Sequence, residues 1–181
     1  MRLETERLII TEFTPAMARD VCKNSLDGDT ARFVPDEVFP TEEAAAEAIA
    51  FLTSRYGGTD GPLVYPVLTR DGRNIGYVQM IPLEDGRWEI GYHIAGPYTG
   101  QGYATEAVRA FLPVAAEMTG VREIQGVCLR ENAASVRVLG KCGFVPVYEG
   151  PGDYQGQRRQ IYKSVWYRRV DRDDSQQTED A

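Results

Sequence analysis

The chain has 181 residues, of which 43% are hydrophobic and 26% charged, and its formal net charge at pH 7 is −7. This length is most simply one domain, large enough to bury about 70% of the surface that the unfolded chain would expose. The acidic balance argues against a nucleic-acid-binding protein, because phosphate binding needs a basic face, and no apolar run approaches the roughly 18 residues of a membrane helix.

The N-terminal third predicts one strand and two helices. Residues 6–13 are rich in Leu and Ile and are typical of a strand. Pro15 opens a helical stretch that runs to about residue 26, since proline is favoured in the first turn of a helix. Thr41 is placed to cap a second helix over 42–56, which begins with acidic residues as the helix dipole favours. The glycine-rich run 57–62 then breaks the chain.

Three further strands are predicted over residues 63–70, 74–83 and 87–95. They are separated by Asp71-Gly72 and Asp85-Gly86, and Asp-Gly is a strong turn signal between strands. The three runs therefore predict an antiparallel meander.

A helix is predicted after the meander, because apolar residues recur at helical spacing from Ala104 to Ala115. Pro113 lies inside this pattern and removes a backbone hydrogen-bond donor. We therefore expect the helix to kink or to be interrupted there.

The last third predicts a strand over 122–129, a helix over 132–142 and a hairpin whose strands, 144–148 and 160–167, are joined by a glycine-rich loop. Strands thus precede, separate and follow the two later helices. This order predicts an α/β fold in a single domain, residues 1–170, with helices flanking a central, mostly antiparallel twisted sheet.

The C-terminal residues 171–181 carry five acidic side chains and one basic side chain, and we predict that this tail is disordered. The cysteines are Cys22, Cys128 and Cys142, an odd number without zinc-ligand spacing. They predict free thiols, no metal site and a soluble protein in the reducing cytoplasm.

The most informative run is 100–107, Gly-Gln-Gly-Tyr-Ala-Thr-Glu-Ala, in which two glycines lead from a predicted strand into a predicted helix. The first turn of a helix has unpaired N–H groups and the positive end of the dipole, and glycine lets a ligand approach the backbone. The run therefore favours a pyrophosphate site. A tight turn that binds nothing is the alternative interpretation.

Four segments, through their joint order and spacing, resemble the GNAT superfamily of acetyl-CoA-dependent N-acetyltransferases, and within it the RimJ/RimL branch of ribosomal-protein acetyltransferases. They span nearly all of residues 3–167 and are Thr5-Glu6-Arg7-Leu8, Trp88-Glu89-Ile90-Gly91-Tyr92, the run 100–107, and Asn132-Ala133-Ala134-Ser135 with Lys141-Cys142-Gly143-Phe144. The resemblance implies a GNAT fold and acetyl-CoA as the cofactor. It implies acetyl transfer to a primary amine, either a protein N-terminus or a small cationic amine, by direct attack in a ternary complex of a monomer or homodimer.

The resemblance also implies which residues bind the cofactor. The family motif falls on Thr99, Gly102 and Ala104, and Thr99 departs from the Arg or Gln of the family. The departure matters little where backbone amides bind, and a threonine hydroxyl can still donate. Asn132 is implied to contact the pantetheine arm, although its position equally suits a helix N-cap. The implied cofactor-binding residues are Ile94, Gly100, Gln101, Gly102, Tyr103, Ala104, Thr105 and Asn132.

The 3′-phosphate of coenzyme A has three basic candidates. Arg137 and Lys141 lie four residues apart on one predicted helix face, and Arg109 is a third possibility. A solvated basic face is the alternative interpretation.

Glu89 is the candidate general base, since some family members carry their catalytic glutamate at this place. An ammonium has no lone pair, so the enzyme must remove a proton before the amine attacks. Side chains alternate along a strand, so Glu89 shares a face with His93, the only histidine and a second candidate acid–base group. A packed histidine and a surface glutamate paired to Arg87 or a neighbouring strand are the alternatives.

Ser135 is the candidate that interacts with the thioester sulfur. Many superfamily members place a tyrosine seven residues after the motif asparagine, and here that position is Leu139. The RimJ/RimL branch instead implies Ser135, although a serine in the first turn of a helix is also common for capping alone.

The acceptor amine is expected between residues 14–56 and the last hairpin loop, 150–157. Side chains there suit a cation, and equally suit ordinary surface: Asp27, Asp29, Asp36, Glu37, Glu42, Phe33, Phe39 and Tyr154. A second class of function stays open because of Leu139 and Thr99. It is a catalytically weak GNAT-fold domain that binds acyl-CoA and regulates a partner.

Overall fold

The computed structural model describes residues 1–58 and 60–168, so the predicted tail, 171–181, lies outside the described residues. The helices are α1 (Ala18–Ser25), α2 (Gly28–Phe33), α3 (Glu42–Thr53), α4 (Tyr103–Thr119) and α5 (Ala133–Lys141). The strands are β1 (Leu3–Glu4), β2 (Leu8–Ile10), β3 (Leu63–Thr69), β4 (Asn74–Pro82), β5 (Trp88–Ile94), β6 (Glu123–Leu129), β7 (Val145–Tyr154) and β8 (Gln157–Tyr167). Within this described part, no helix is both long and apolar enough to cross a membrane.

The eight described strands form one sheet in the order β1-β2-β3-β4-β5-β6-β8-β7. Neighbouring strands are antiparallel except β5 and β6, which are parallel because α4 connects them. The predicted meander is confirmed as β3, β4 and β5. The predicted fold class, a mostly antiparallel mixed sheet flanked by helices, is also confirmed.

Helices cover both faces of the sheet, as the alternation along β3 shows. Leu63 and Tyr65 pack in the core that includes α4, where the Tyr65 and Phe111 ring centroids lie 5.7 Å apart. Val64 points to the opposite face and packs with Cys22 of α1 and Ile49 of α3. We call these two sides the α4 face and the α1/α3 face.

The predicted first strand, 6–13, is wrong in its bounds. The structure has a short hairpin instead, with Leu3 of β1 opposite Ile10 of β2. The chain reverses between Thr5 and Leu8, because the Thr5 N–H donates to the Leu8 carbonyl and the Leu8 N–H donates to Thr5 Oγ1, both at 2.9 Å. Local side-chain to backbone bonds of this kind compete with a continuous strand.

The first two predicted helices are present, and a third helix was not predicted. Thr41 caps α3 as expected, since its Oγ1 accepts from the Ala44 N–H at 3.2 Å. The additional helix, α2, begins at an Asp27 cap whose carboxylate accepts from the Thr30 N–H at 2.7 Å. It has only six residues, so it offers too short an apolar pattern to recognise in the sequence.

The predicted interruption at Pro113 does not occur, because α4 is continuous from Tyr103 to Thr119. Pro113 lies on the exposed side of α4, while Phe111, Leu112 and Ala115 beside it are buried in the core. Tertiary packing of the apolar side therefore outweighs the missing hydrogen bond.

The predicted glycine-rich loop of the last hairpin is also wrong, because β7 and β8 continue through it to a two-residue turn at Gln155 and Gly156. Both turn residues have positive φ, 53° and 75°, as a tight hairpin turn of type I′ requires. Gly152 is needed for closeness rather than for a bend, since a Cβ there would lie 2.2 Å from Ile161 Cδ1. The hairpin tip consequently reaches the region of α2.

Candidate active site

A cleft of about 650 Å³ passes through the sheet where β5 and β6 separate. Both strands have seven residues, but their parallel register covers only Glu89 with Gln125 and Ile90 with Gly126. Beyond these pairs the strands diverge, and α4 and α5 begin beside the gap. The cleft therefore has one end on the α4 face and the other on the α1/α3 face.

At the α4 end, the glycine turn leads into an uncapped helix. Gly100 and Gly102 have φ of 74° and 83°, a left-handed conformation that glycine adopts without strain. Gly102 is the N-cap of α4 and no side chain accepts from the first turn. The N–H groups of the first helical residues, 103–105, are therefore available to an anion, and these residues line the cleft.

Arg7 and Glu106 hold this turn in place. The Arg7 Nε donates to Glu106 Oε2 at 2.7 Å, and Thr5 Oγ1 donates to Glu106 Oε1 at 2.6 Å. Arg7 Nη1 also donates to the Gln101 carbonyl at 2.9 Å, and its guanidinium lies 4.5 Å from the centroid of the Tyr103 ring. Burial opposes the charge of Glu106, but these hydrogen bonds hold its pKa below the usual value. The segment 5–8 thus ties the N-terminus of the chain to the glycine turn.

Most of the predicted cofactor-binding residues line the cleft, and one does not. Gly100, Gly102, Tyr103, Ala104 and Thr105 border it, as do Ile94 and Asn132. Gln101 is exposed, and its Nε2 donates to the Pro97 carbonyl at 3.3 Å, so its side chain lies outside the cleft. Thr99 also lines the cleft, but its hydroxyl donates to the Gly96 carbonyl at 2.9 Å.

Asn132 and Ser135 meet at the start of α5. Asn132 is the N-cap of this helix, because its Oδ1 accepts from the Ser135 N–H at 3.0 Å. The Ser135 hydroxyl lies 2.8 Å from the hydroxyl of Tyr92, which points from β5 to the α4 face. Tyr92 was not singled out in the sequence. Its alternation with Glu89 and His93 was the available signal, because it put Tyr92 on the opposite face of the strand.

On the other side of the sheet, Glu89 lines the cleft and is mostly buried. Burial raises the pKa of Glu89 to about 7, although Lys163 acts in the opposite direction. A carboxyl with this pKa is divided between its acid and base forms near neutral pH, as proton transfer requires.

The raised pKa of Glu89 predicts a pH-dependent stability. The folded protein binds a proton between about pH 4.5 and 7 that the unfolded chain has lost, so stability falls as the pH rises through this window. At pH 8 the ionised, buried carboxylate costs up to about 3 kcal/mol. We expect Glu89→Gln to raise the free energy of unfolding at pH 8 and to leave it nearly unchanged at pH 4, measured by urea titration. Equal effects at both pH values would contradict a buried, ionising Glu89.

A second carboxyl, that of Glu37, lies at this end of the cleft. The sequence named Glu37 only as one of several possible acceptor-side residues. Glu37 follows α2, and its Oε1 accepts from Gln79 Nε2 on β4 at 3.0 Å. Burial also raises the pKa of Glu37 to about 7, with Asp36 adding to the shift and the Gln79 hydrogen bond opposing it. Gln79 lies over Gly91, where a Cβ would be 2.5 Å from Gln79 Nε2, so Gly91 makes room for this contact.

His93 is held by hydrogen bonds rather than free in the cleft. Its Nε2 lies 2.7 Å from Thr30 Oγ1 and 3.6 Å from Asp27 Oδ2. Burial lowers the pKa of His93, although Asp27 opposes the shift. The hydrogen-bonded interpretation of His93 is therefore the one that the geometry supports.

Of the three basic candidates for the 3′-phosphate, two line the cleft and one does not. Arg137 and Lys141 line the cleft at its α4 end. Arg109 does not, because its Nε donates to the Lys141 carbonyl at 3.1 Å, at the end of α5.

The site thus combines, in one cleft through the sheet, an uncapped helix with basic residues on one side and carboxyls of raised pKa on the other. A family model described as an acetyltransferase (GNAT) domain matches residues 7–145, and the chain belongs to this family. It is 30% identical over 146 residues to the uncharacterized N-acetyltransferase YnaD of Bacillus subtilis (strain 168), an alignment that covers 80% of this chain and 82% of YnaD. The predicted enzyme class, N-acetyltransferase, and the predicted cofactor, acetyl-CoA, are confirmed.

Solved structures show the same fold. The ribosomal-protein-S5-alanine acetyltransferase of Vibrio fischeri has a TM-score of 0.80 at 17% identity, with 92% of this chain and 96% of that chain covered. RimL, a ribosomal L7/L12 alpha-N-protein acetyltransferase in complex with coenzyme A, has a TM-score of 0.78 at 14% identity, with 92% and 98% covered. The fold relation that the RimJ/RimL-type resemblance implies is thus confirmed.

Proposed function

We propose that this protein transfers the acetyl group of acetyl-CoA to a primary amine by direct attack in a ternary complex. The observation that carries the proposal is the cleft through the sheet, which has an anion-binding end and a carboxyl-lined end joined at β5. One ligand can enter from each face, and the two then meet beside Glu89 and Tyr92. Acetyl-CoA supplies the acetyl thioester.

The cofactor end is proposed to hold the phosphates of coenzyme A. The uncapped N–H groups of residues 103–105 suit the diphosphate, and Arg137 and Lys141 are placed for the 3′-phosphate. Gly100 and Gly102 have no side chains, so the diphosphate can approach the backbone of the turn closely. Asn132 acts through α5, which its side chain caps, and its place in the cleft wall also suits a pantetheine contact.

The acceptor end is proposed to bind a cationic amine. Carboxyl and aromatic side chains line this end of the cleft, among them Asp36, Glu37, Glu89, Phe33, Tyr77 and Tyr154. Carboxylates attract an ammonium, and aromatic faces favour it through cation–π interaction. An amine with a pKa near 10 is mostly protonated at neutral pH, so a group must take its proton. Glu89 is proposed to take it, directly or through a water.

Ser135 is proposed to stabilise the departing sulfur. The Tyr92 hydroxyl lies 2.8 Å from Ser135 Oγ and 3.1 Å from the Ser135 carbonyl, which can only accept. In the arrangement proposed for catalysis the Tyr92 proton is donated to Ser135 Oγ, and the serine proton points into the cleft. Many family members have a tyrosine at the position of Leu139, which is buried here. Tyr92 and Ser135 are proposed to take over the role of that tyrosine. A hydroxyl aimed at a developing charge acts mainly in the transition state.

The test is a screen of primary amines and N-terminal peptides with acetyl-CoA, scored by thiol release. Turnover of small cationic amines alone would make the acceptor a small molecule, and turnover of peptides would make it a protein N-terminus. Coenzyme A binding without turnover of any amine would instead support the regulatory acyl-CoA-binding domain.

The buried thiols of Cys22, Cys128 and Cys142 support a reducing, cytoplasmic setting. The proposed monomer or homodimer is measured by sedimentation.

Replacing Gly102 with valine is expected to weaken acetyl-CoA binding at least tenfold, about 1.4 kcal/mol. A β-branched residue is strained at a φ of 83°, so the turn that forms the proposed diphosphate site must change its conformation. The measurement is calorimetric titration with acetyl-CoA. Gly120→Val is the matched control, since Gly120 ends the same helix with a φ of 70° and lies outside the cleft. Equal affinities in the two variants would remove the glycine turn from the cofactor site.

A further inference from the structure

A second cavity, of about 310 Å³, lies on the α1/α3 face beside the acceptor end of the cleft. Its lining is mostly apolar and includes Phe13, Val21, Phe39, Ile49, Leu52 and Val64. The volume is at the lower end of the range for small-molecule sites. No step of the proposed acetyl transfer uses this cavity.

The two spaces adjoin at the hydrogen-bonded pair of Glu37 and Gln79. Both residues line both spaces, and so do Tyr77, Ile81 and His93. An amine at Glu37 therefore has the cavity directly behind it. A substituent on that amine has an apolar space to enter without leaving the protein.

We propose that the acceptor is an amphipathic primary amine, and that its apolar group occupies the second cavity while the ammonium lies at Glu37 and Glu89. The proposal rests on the amine acetyltransferase activity proposed above and specifies its substrate class. The apolar lining contributes affinity, about fourfold for each methylene buried.

The first test compares three amines in wild-type protein: ethylamine, p-methylphenethylamine and tyramine. The two aromatic amines differ only in a methyl against a hydroxyl group. We expect kcat/KM for both aromatic amines to exceed that for ethylamine at least tenfold, because only their rings fill the apolar cavity. Equal values for all three amines would overturn the proposal while leaving the amine acetyltransferase activity in place.

The second test fills the cavity. Ala48 lines it from α3, and Ala46 lies on the exposed side of the same helix. We expect Ala48→Phe to reduce the ratio of kcat/KM for tyramine over ethylamine at least tenfold, and Ala46→Phe to change that ratio less than twofold. The same ratio in both variants would overturn the proposal, and thermal melting checks that both variants fold.

Two further measurements separate the remaining outcomes. Calorimetric titration with tyramine reads the cavity directly, so the proposal is tested even where no amine is acetylated: tenfold weaker binding to Ala48→Phe supports it, and unchanged binding overturns it. Turnover with octanoyl-CoA tests a different occupant. Efficient transfer of the long acyl chain that is lost in Ala48→Phe would show that the cavity holds the acyl group, which overturns the proposal.

Discussion

Replacing Ser135 with alanine is expected to lower kcat about a hundredfold while changing acetyl-CoA affinity little. The hydroxyl lies 2.8 Å from that of Tyr92 in the cleft wall and is proposed to donate to a sulfur whose charge develops only in the transition state. Loss of one such donor is typically worth about two powers of ten. Steady-state kinetics and calorimetry with acetyl-CoA separate the two effects.

Two further variants help to interpret Ser135→Ala. Tyr92→Phe keeps the ring and removes the hydroxyl that orients Ser135, so we expect a smaller loss of kcat than in Ser135→Ala. Ser54→Ala is the matched control, since Ser54 is exposed after α3 and its Oγ donates to the Phe51 carbonyl. If Ser135→Ala instead lost acetyl-CoA binding as strongly as kcat, the hydroxyl would serve α5 or the cofactor rather than the departing sulfur.

The sequence predicted those parts of the fold in which short-range patterns and tertiary packing agree. The meander followed from two Asp-Gly turns, and α3 followed from its Thr41 cap. The last hairpin was missed because glycine there serves cross-strand closeness: Gly152 makes room for Ile161, five positions beyond the turn in the partner strand. Composition alone does not distinguish that role from a loop.

The sequence predicts those parts of the candidate site that lie within the family motifs. The motif picks out the run 100–107 and the segment 132–135, and the structure brings both to one cleft. The contact of Tyr92 with Ser135 and the tie between Arg7 and Glu106 join residues 43 and 99 positions apart. Such pairs arise from the sheet order and not from local spacing, so a single sequence carries no periodic signal for them.

Glu37 shows the same limit for chemistry. Its carboxylate stood in the sequence among several acidic residues of a surface-like segment. Only the fold buries it against Gln79, and that burial raises the pKa of Glu37 to about 7. The acceptor end thus holds two carboxyls of similar pKa. Variants of each residue are needed to tell which of the two accepts the proton of the amine.

Glu89→Gln is expected to reduce kcat/KM for the amine by about two to four powers of ten at neutral pH, the usual worth of a positioned base. Glutamine keeps the shape and can hydrogen-bond, but it cannot accept the proton of the amine. Because the pKa of Glu89 is raised to about 7, wild-type kcat/KM should rise with pH up to that value as the carboxylate forms. The variant should lack this rise and recover activity only at high pH, where more of the amine is already neutral. Stopped assays across the pH range measure both profiles.

Glu37→Gln is the matched control for Glu89→Gln, because it makes the same change in the same end of the cleft and preserves an oxygen that can still accept from Gln79. We expect Glu37→Gln to raise KM for a cationic amine while keeping the wild-type rise of kcat/KM with pH. If Glu89→Gln retained full activity and the same pH profile while Glu37→Gln lost the rise, the proton would leave through Glu37. The strand glutamate would then be a buried residue that shapes the cleft, and the acceptor amine would lie nearer to β4 than to β5.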